Sequence, residues 1–418
     1  MRRLGWPFWL LVLFSFVLLL SPQSFIGALR PLHLAFAAAG LAALTYGFDR
    51  YTRRQPLLPM TRATVLTLCL LGLAIVTIPL SYWPGGSFSL LTGLYLKTLI
   101  IFWLLNNVVD TLPKLRVIAV ALSLMTIPLS LSAVGSFISG GFFHEELSRG
   151  LHRITGYDAA LTSNPNDLAL MLNLILPLTI ALFLDSRRNA WRVVLLAIAC
   201  LDVMAIIATY SRGGFLILGV TSLVYLWKLF RRRQRHLAFA ALGLVLIAVP
   251  LVPGGYVSRL STITNIQADP TGSAQARWAG TVAAAGYVVH HPLVGAGLGN
   301  DVLVLNQLRG ATWEEVHNVY LQYAVELGVP GLLLFLLLFR ECFKATQRAR
   351  RLGGSNQTLH LLAEGLGISL LGFVVAGFFY PDAYQFYFYY IGGLAIAAQS
   401  VATGLARAHS KSAPPAAA

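Results

Sequence analysis

Twelve apolar segments, each 17–24 residues long, follow one another near residues 5–21, 31–48, 63–82, 88–109, 116–139, 166–185, 192–210, 214–230, 236–253, 318–339, 359–380 and 384–404. A helix needs about 20 residues to cross roughly 30 Å of hydrocarbon. Repetition at this length predicts an all-α polytopic membrane protein of about 12 transmembrane helices. The composition agrees, with 57% of residues hydrophobic and 11% charged, against about a quarter charged in soluble domains. The opening "MRRLGWPFWLLVLFSFVLLLSPQS" resembles a signal peptide but lacks a clean small-x-small cleavage site. It is expected to stay as the first span.

The formal net charge of +15 suggests nucleic acid until the charges are located. Lys and Arg sit in short tracts between apolar segments, as topology determinants do, and not in a stripe interleaved with aromatics. No nucleic-acid partner is expected. With the N-terminus inside, the inner connections hold 23 of the 31 Lys and Arg, so both termini are expected to be cytoplasmic. Seven lie on the outer side: Arg30, Arg149, Arg153, Arg212, Arg259, Arg277 and Arg309. Insertion does not favour arginine there, which makes these seven candidates for another role. Cys69, Cys200 and Cys342 have neither disulfide nor metal spacing.

The expected organisation is spans one to nine over 1–253, an outer loop over 254–316, spans ten to twelve over 317–406, and a cytoplasmic tail over 407–418. A loop of about sixty residues in a compact protein is usually functional or disordered. Within it, "TGSAQARWAGTVAAAGYVVHH" carries an apolar stripe at Trp278, Val282, Ala285 and Val289. It predicts an amphipathic helix lying over the outer face. "GAGLGN" (295–300) follows no strand, so a flexible turn is expected and not a dinucleotide site.

Three outer positions carry chemistry. His317 opens span ten, where it or Asn318 caps the helix. At about 100° per residue Tyr320, Leu321, Ala324, Gly328 and Gly331 share its face, and the glycines would admit a neighbouring helix. Glu326 falls on the opposite side, so it is expected to be a structural acid. A helix N-terminus disfavours imidazolium, which suits a general base; an interfacial hydrogen-bonding role is the alternative. Arg212, in "TYSRGGFLILG", sits on a tight connection beside two glycines. It is either a ligand-binding group or a cation at the lipid headgroups. Arg277 taken alone reads as a surface cation. Guanidinium groups suit bidentate phosphate binding, and a neutral imidazole can take a hydroxyl proton. Together they suit displacement of a pyrophosphate leaving group by an alcohol. Without an Asp-x-Asp, and with outer acidic pairs only at Glu145–Glu146 and Glu314–Glu315, no metal or other cofactor is expected.

Among deeper groups, Lys97 and Asp202 are expected to pair between spans four and seven. "SNPNDLALM" (163–171) predicts a capped helix start. "FYPDAYQFYFYY" (379–390) predicts an aromatic belt at the outer interface.

"HNVYLQYAVELGVPGLLLF" (317–335) resembles the His-[Asn/Ser]-x-[Tyr/Leu]-Leu…Glu-x-Gly-x-x-Gly signature of the O-antigen ligase and polymerase superfamily. "SRGGFL" (211–216), "HPLVGAGLGN" (291–300) and "TSNPNDLALMLNLILPL" (162–178) are similar to further segments of that family. The likeness runs from about 161 to 377. It implies a metal-independent, inverting membrane glycosyltransferase with its active site at the periplasmic face of a Gram-negative inner membrane. The donor would be O-antigen on undecaprenyl pyrophosphate, and the acceptor a sugar hydroxyl of the lipid A core, both met among membrane lipids. By resemblance Arg212 and Arg277 bind the pyrophosphate and His317 activates the acceptor, with Asn318 and Tyr320 as further substrate contacts. One dominant outer loop and a short basic tail favour the ligase over a polysaccharide polymerase. A twelve-span secondary transporter is the reading from another class, and it would place its key polar groups near the bilayer midplane.

Overall fold

The computed structural model describes residues 4–141, 153–154, 161–162, 164–232, 235–248, 272–309, 313–354 and 356–412. Arg149, Arg259, Glu145–Glu146 and the end of the ninth apolar segment lie outside them. Described residues form α1 (Trp6–Leu20), α2 (Leu34–Thr52), α3 (Arg62–Thr77), α4 (Pro84–Val108, with a π turn at Leu91–Tyr95) and α5 (Leu112–Ser139). There follow α6 (Pro165–Asp185), α7 (Asn189–Ala208), α8 (Arg212–Phe230) and α9 (Arg235–Ala248). After these come α10 (Ser273–His290), α11 (Asp301–Arg309), α12 (Val319–Leu352), α13 (Gln357–Ala376) and α14 (Phe386–Ser412). Among these, ten helices are long and apolar enough to span a membrane, and α1 is a shorter apolar helix. The protein is an all-α polytopic membrane protein.

Helices α6, α13 and α14 are the most enclosed spans. Buried donors on them find partners inside the bundle, as hydrocarbon requires. Asn173 donates to the Ala169 and Gly214 carbonyls at 2.8 and 3.1 Å, and Ser369 donates to Leu174 O at 2.7 Å. The aromatic run of α14 is not an interfacial belt. Tyr384, Tyr387, Phe388, Tyr389 and Tyr390 are buried, and the hydroxyls of Tyr387, Tyr389 and Tyr390 explain why for those three. Tyr389 meets Tyr95 and Tyr323 at 3.1 and 2.7 Å, Tyr387 donates to Leu161 O, and Tyr390 reaches Ser15. A buried tyrosine is favourable when its hydroxyl finds a partner.

Nor do Lys97 and Asp202 pair. Both carboxylate oxygens of Asp202 are taken by α5, through Thr126 at 3.0 Å and Ser130 at 2.7 Å. The Lys97 ammonium lies 5.9 Å from the Phe36 ring centroid instead. Local hydroxyls satisfy the acid without a lysine from another helix.

The feature that shapes the site end of the bundle is a break in α12. Gly328 adopts φ 71°, ψ −179°, and Pro330 has no N–H to offer the Glu326 carbonyl. The groups this frees are paired by the segment after α10. Ala296 N donates to Val325 O at 2.7 Å, Gly297 N to Glu326 O at 2.8 Å, and Val329 N donates to Pro292 O at 2.8 Å. Left unmade, each would cost about 1–3 kcal/mol. The buried Glu326 carboxylate adds a bond from Gly299 N at 2.6 Å, a structural role in keeping with its predicted orientation. The "GAGLGN" stretch is therefore a packed clasp and not a flexible turn. It is the loop, not a neighbouring helix, that approaches Gly328, with Leu293 O 2.6 Å from where a Cβ would stand. The clasp also reaches the α3–α4 connection, where Tyr82 N donates to Ala296 O and Asn300 to Ser87 Oγ.

Helix α10 forms as its periodicity predicts, but it packs through Gly280 and Ala284. Trp278, Val282 and Val289 are exposed. Ala284 joins Ala296, Val304, Leu305, Val316 and Val325 in a small core of its own, which fixes α10 and the clasp to α12.

Two outcomes follow. A Cβ on Gly297, whose φ is +92°, would stand 2.0 Å from Ser81 Cβ, so Gly297→Ala should cost about 1–3 kcal/mol. Thermal unfolding in detergent should show a lower midpoint, whereas Gly40→Ala, which meets nothing within 4 Å, should not lower it. In double-mutant cycles Asp202→Asn should couple to Ser130→Ala by about 0.5 kcal/mol or more, and to Lys97→Met by less than about 0.5 kcal/mol.

Candidate functional site

The α7–α8 connection is three residues long. Tyr210 takes a left-handed φ of 53°, a conformation a tyrosine adopts rarely. Ser211 then caps α8 by accepting from Gly214 N at 3.2 Å, and Arg212 is the first helical residue. Gly213 and Gly214 let the turn sit against its neighbours. Added Cβ atoms there would meet the Tyr380 ring at 3.0 Å and Ala169 Cβ at 2.6 Å. The backbone thus fixes where the Arg212 side chain starts.

Helix α6 begins beside this turn. Asn164 caps it, accepting from Asn166 N and Asp167 N at 2.9 and 3.0 Å, as the sequence predicts. Asn166 Oδ1 accepts from Ser211 Oγ at 2.9 Å and from Arg153 Nη2 at 2.8 Å. Arg153, 4% exposed, also donates through Nε to Thr209 O at 3.1 Å. A third arginine is therefore built into the turn that carries Arg212. In the sequence it is one of seven outer arginines with nothing to single it out.

Arg277 arrives on α10. Arg212 Nη2 donates to Ser273 Oγ at 3.3 Å, one helical turn before Arg277. Burial, then the charge of Arg212 and with it that of Arg153, pull the Arg277 guanidinium down to about 10. Tyr380 and Glu314 oppose this. At neutral pH Arg277 stays charged, so three cations crowd one end of the bundle. Buried Tyr380 joins this end through Ser211 and Arg277. Its hydroxyl lies 3.4 Å from Ser211 Oγ, and it senses Arg277, Asp167 and Asp382.

His317 stands between α11 and α12. Val316 N donates to Asp301 at 2.8 Å, Asn318 Oδ1 accepts from Leu321 N at 3.0 Å, and Val319 N donates to Gly377 O at 2.8 Å. These bonds hold the backbone on both sides of the histidine. Of its neighbours, Glu314 acts on Arg277 and Glu315 is sensed by Asp382. His317 is partly exposed, and its Nδ1 lies 3.1 Å from Glu315 O. A carbonyl oxygen only accepts, so Nδ1 carries the hydrogen and the neutral ring has its lone pair on Nε2. Asn318 serves as the cap. Tyr320 donates to Val374 O at 2.9 Å and packs on Phe378, so both support the mouth of α12.

Asp382 is a residue that sequence reading missed. It is 6% exposed, and among the described residues its Oδ2 has no hydrogen-bond partner. Burial pushes its carboxyl well above the usual range, and Asp167 and Glu315 push the same way. In the sequence it was hidden inside the aromatic run.

No curated protein matches the chain. The O-antigen ligase family model matches residues 195–336, a stretch that contains Arg212, Arg277 and His317. Over that stretch, about a third of its length, the chain is similar to the O-antigen ligase family. This family supports an O-antigen ligase or polymerase type of function, acting on lipid-linked polysaccharide in a membrane. The O-antigen ligase match stops short of Arg153, Asn166, Tyr380 and Asp382, which the fold brings to the same end.

The raised carboxyl gives a pH test. Stability linked to Asp382 is fully present below its unfolded value, about 3.8, and is lost as pH rises through the raised folded value. Asp382→Asn removes that loss. The melting midpoint of the variant relative to the parent should therefore climb between pH 5 and pH 8. A difference that stays flat with pH would contradict a buried, proton-holding Asp382.

Proposed function

We propose that the protein is an O-antigen ligase. It transfers O-antigen polysaccharide from undecaprenyl pyrophosphate to a sugar hydroxyl of the lipid A core. It works at the periplasmic face of a Gram-negative inner membrane, with both termini in the cytoplasm. The observation that carries this reading is the convergence of Arg212 with the first turn of the Arg277 helix, at 3.3 Å between Arg212 Nη2 and Ser273 Oγ. Crowded guanidinium groups are unfavourable to one another and favourable to a multiply charged anion, and a pyrophosphate leaving group is such an anion.

In the proposed step the acceptor hydroxyl oxygen attacks the anomeric carbon of the donor sugar. The bond from that carbon to the pyrophosphate oxygen breaks, and its electron pair leaves with undecaprenyl pyrophosphate. His317 takes the hydroxyl proton through Nε2. Arg212 and Arg277 hold the leaving group and stabilise the charge that grows on it, the kind of preorganised electrostatic help that counts most in such reactions. A single displacement inverts the anomeric centre, and with arginines on the leaving group the step needs no metal. Asn318 and Tyr320 keep the histidine's helix mouth in register with the substrate. Arg153 positions the Arg212 turn through Thr209 and Asn166.

The deep polar groups argue against the transporter reading. Asp202 and Glu326 are engaged by hydroxyls and by the clasp, and the suspected reagents lie at helix ends.

Reconstitution with an undecaprenyl-pyrophosphate-linked glycan and lipid A core, chelator present, tests the reading. His317→Ala should reduce transfer by about 10²–10⁴-fold, and Arg212→Lys or Arg277→Lys by about 10²–10³-fold. Full transfer by the histidine variant would remove the base role. Glycan growth on the lipid carrier alone would make the protein a polymerase.

A further inference from the structure

The far end of α8 carries a second cluster of charge. Lys228 lies about 24 Å along the helix from Arg212, and Arg232 follows just past its end. Both turn onto Glu364 of α13, Lys228 Nζ at 3.2 Å and Arg232 Nη2 at 2.6 Å. Arg350, near the end of α12, reaches the same carboxylate at 3.3 Å. Glu364 is 3% exposed, and the three cations are only 19%, 25% and 34% exposed. His360, one turn before Glu364 on the same face, lies within reach of the charges of Arg350, Glu364 and Arg232.

One carboxylate cannot balance three cations. An ion-pair staple joining α8, α12 and α13 would need two of them, one from the α8 end and Arg350 from α12, and the third is in excess. Among the described residues the surplus is +2, held on partly buried side chains where charge is poorly screened. Arg350 Nε is buried and has no hydrogen-bond partner among the described residues, so donor capacity is left over as well as charge. Depth is marked by Trp227. It is exposed, adjoins Lys228, and has the Arg231 guanidinium 4.3 Å from its ring centroid. Exposed tryptophan with basic neighbours at a span's end sits at lipid headgroup level.

We infer that the cation cluster around Glu364, drawn from α8, α12 and α13, binds the phosphodiester headgroup of an anionic phospholipid, on the membrane face opposite the Arg212 site. Lys228, Arg232 and Arg350 hold the phosphate oxygens. Glu364 competes with the lipid for them and keeps the cluster together when no lipid is bound. A lipid with two phosphodiesters matches the surplus of two charges. This site does not depend on the reaction proposed above, because none of its residues takes part in it.

The test uses the full-length protein in detergent. Lipid adducts are counted by native mass spectrometry, and thermal midpoints are read with added cardiolipin, phosphatidylglycerol, phosphatidylcholine or inorganic phosphate. Cardiolipin and phosphatidylglycerol should bind at least about tenfold more tightly than phosphatidylcholine and raise the midpoint. Lys228→Gln and Arg232→Gln should each weaken that binding about tenfold, the worth of one charge-assisted hydrogen bond. Glu364→Gln should strengthen it, since a competitor is gone. Loss of lipid binding in Glu364→Gln, or equal binding of anionic and zwitterionic lipids, would overturn the proposal and leave a plain ion-pair staple. Inorganic phosphate giving the same shift at the same phosphate concentration would overturn the lipid as its ligand.

Discussion

Everything at the site end of this bundle hangs on the three backbone hydrogen bonds that close the break in α12. A glycine in the left-handed region and a proline two residues later leave helix carbonyls and an N–H without partners. In a membrane protein such groups must be satisfied by protein. The segment 292–299 supplies the partners, and in doing so it ties the end of α10 to α12. Arg277 rides on α10 and His317 on the mouth of α12. The same bonds that repair the helix therefore set the distance between two of the three reactive groups. The third, Arg212, is delivered by a three-residue link between two spans, a turn pinned to α6 by Ser211 and Arg153 on Asn166.

Electrostatics then separates the two ends of α8. At one end three arginines are collected, and burial first, then their mutual repulsion, pulls Arg277 down to about 10. The acids nearby are arranged differently. Asp382 is buried in a setting that favours its protonated form, so it adds little negative charge at neutral pH. At the other end Glu364 is surrounded by cations and is the centre of its cluster. One helix thus carries two sites of like sign, separated by about the thickness of the hydrocarbon core.

The sequence was most informative about spans and about residues with a local signature. Every apolar segment corresponds to a helix in the described residues, and the Asn164 and Asn318 caps are where side-chain chemistry places them. Residues whose roles depend on partners far along the chain could not be read this way. Lys97 and Asp202 looked like a pair because both are charged and near mid-span, but hydroxyls on α5 were nearer. The tyrosines of α14 looked interfacial because composition does not reveal which hydroxyls have partners inside. Arg153 and Asp382 carry no motif at all, and only tertiary packing brings Arg153 onto Asn166 and Asp382 near Tyr380. The clasp was misread because its glycines suggest freedom, whereas here they allow close contact.

The central claim is that Arg212 and Arg277 grip one shared pyrophosphate. Binding of undecaprenyl pyrophosphate to Arg212→Lys, Arg277→Lys and the double variant, measured against the parent protein, addresses it directly. If the two side chains hold one group, the double variant should lose clearly less than the product of the single losses, since residues serving one ligand do not act independently. Single variants that bind as tightly as the parent, or losses that simply multiply, would contradict it.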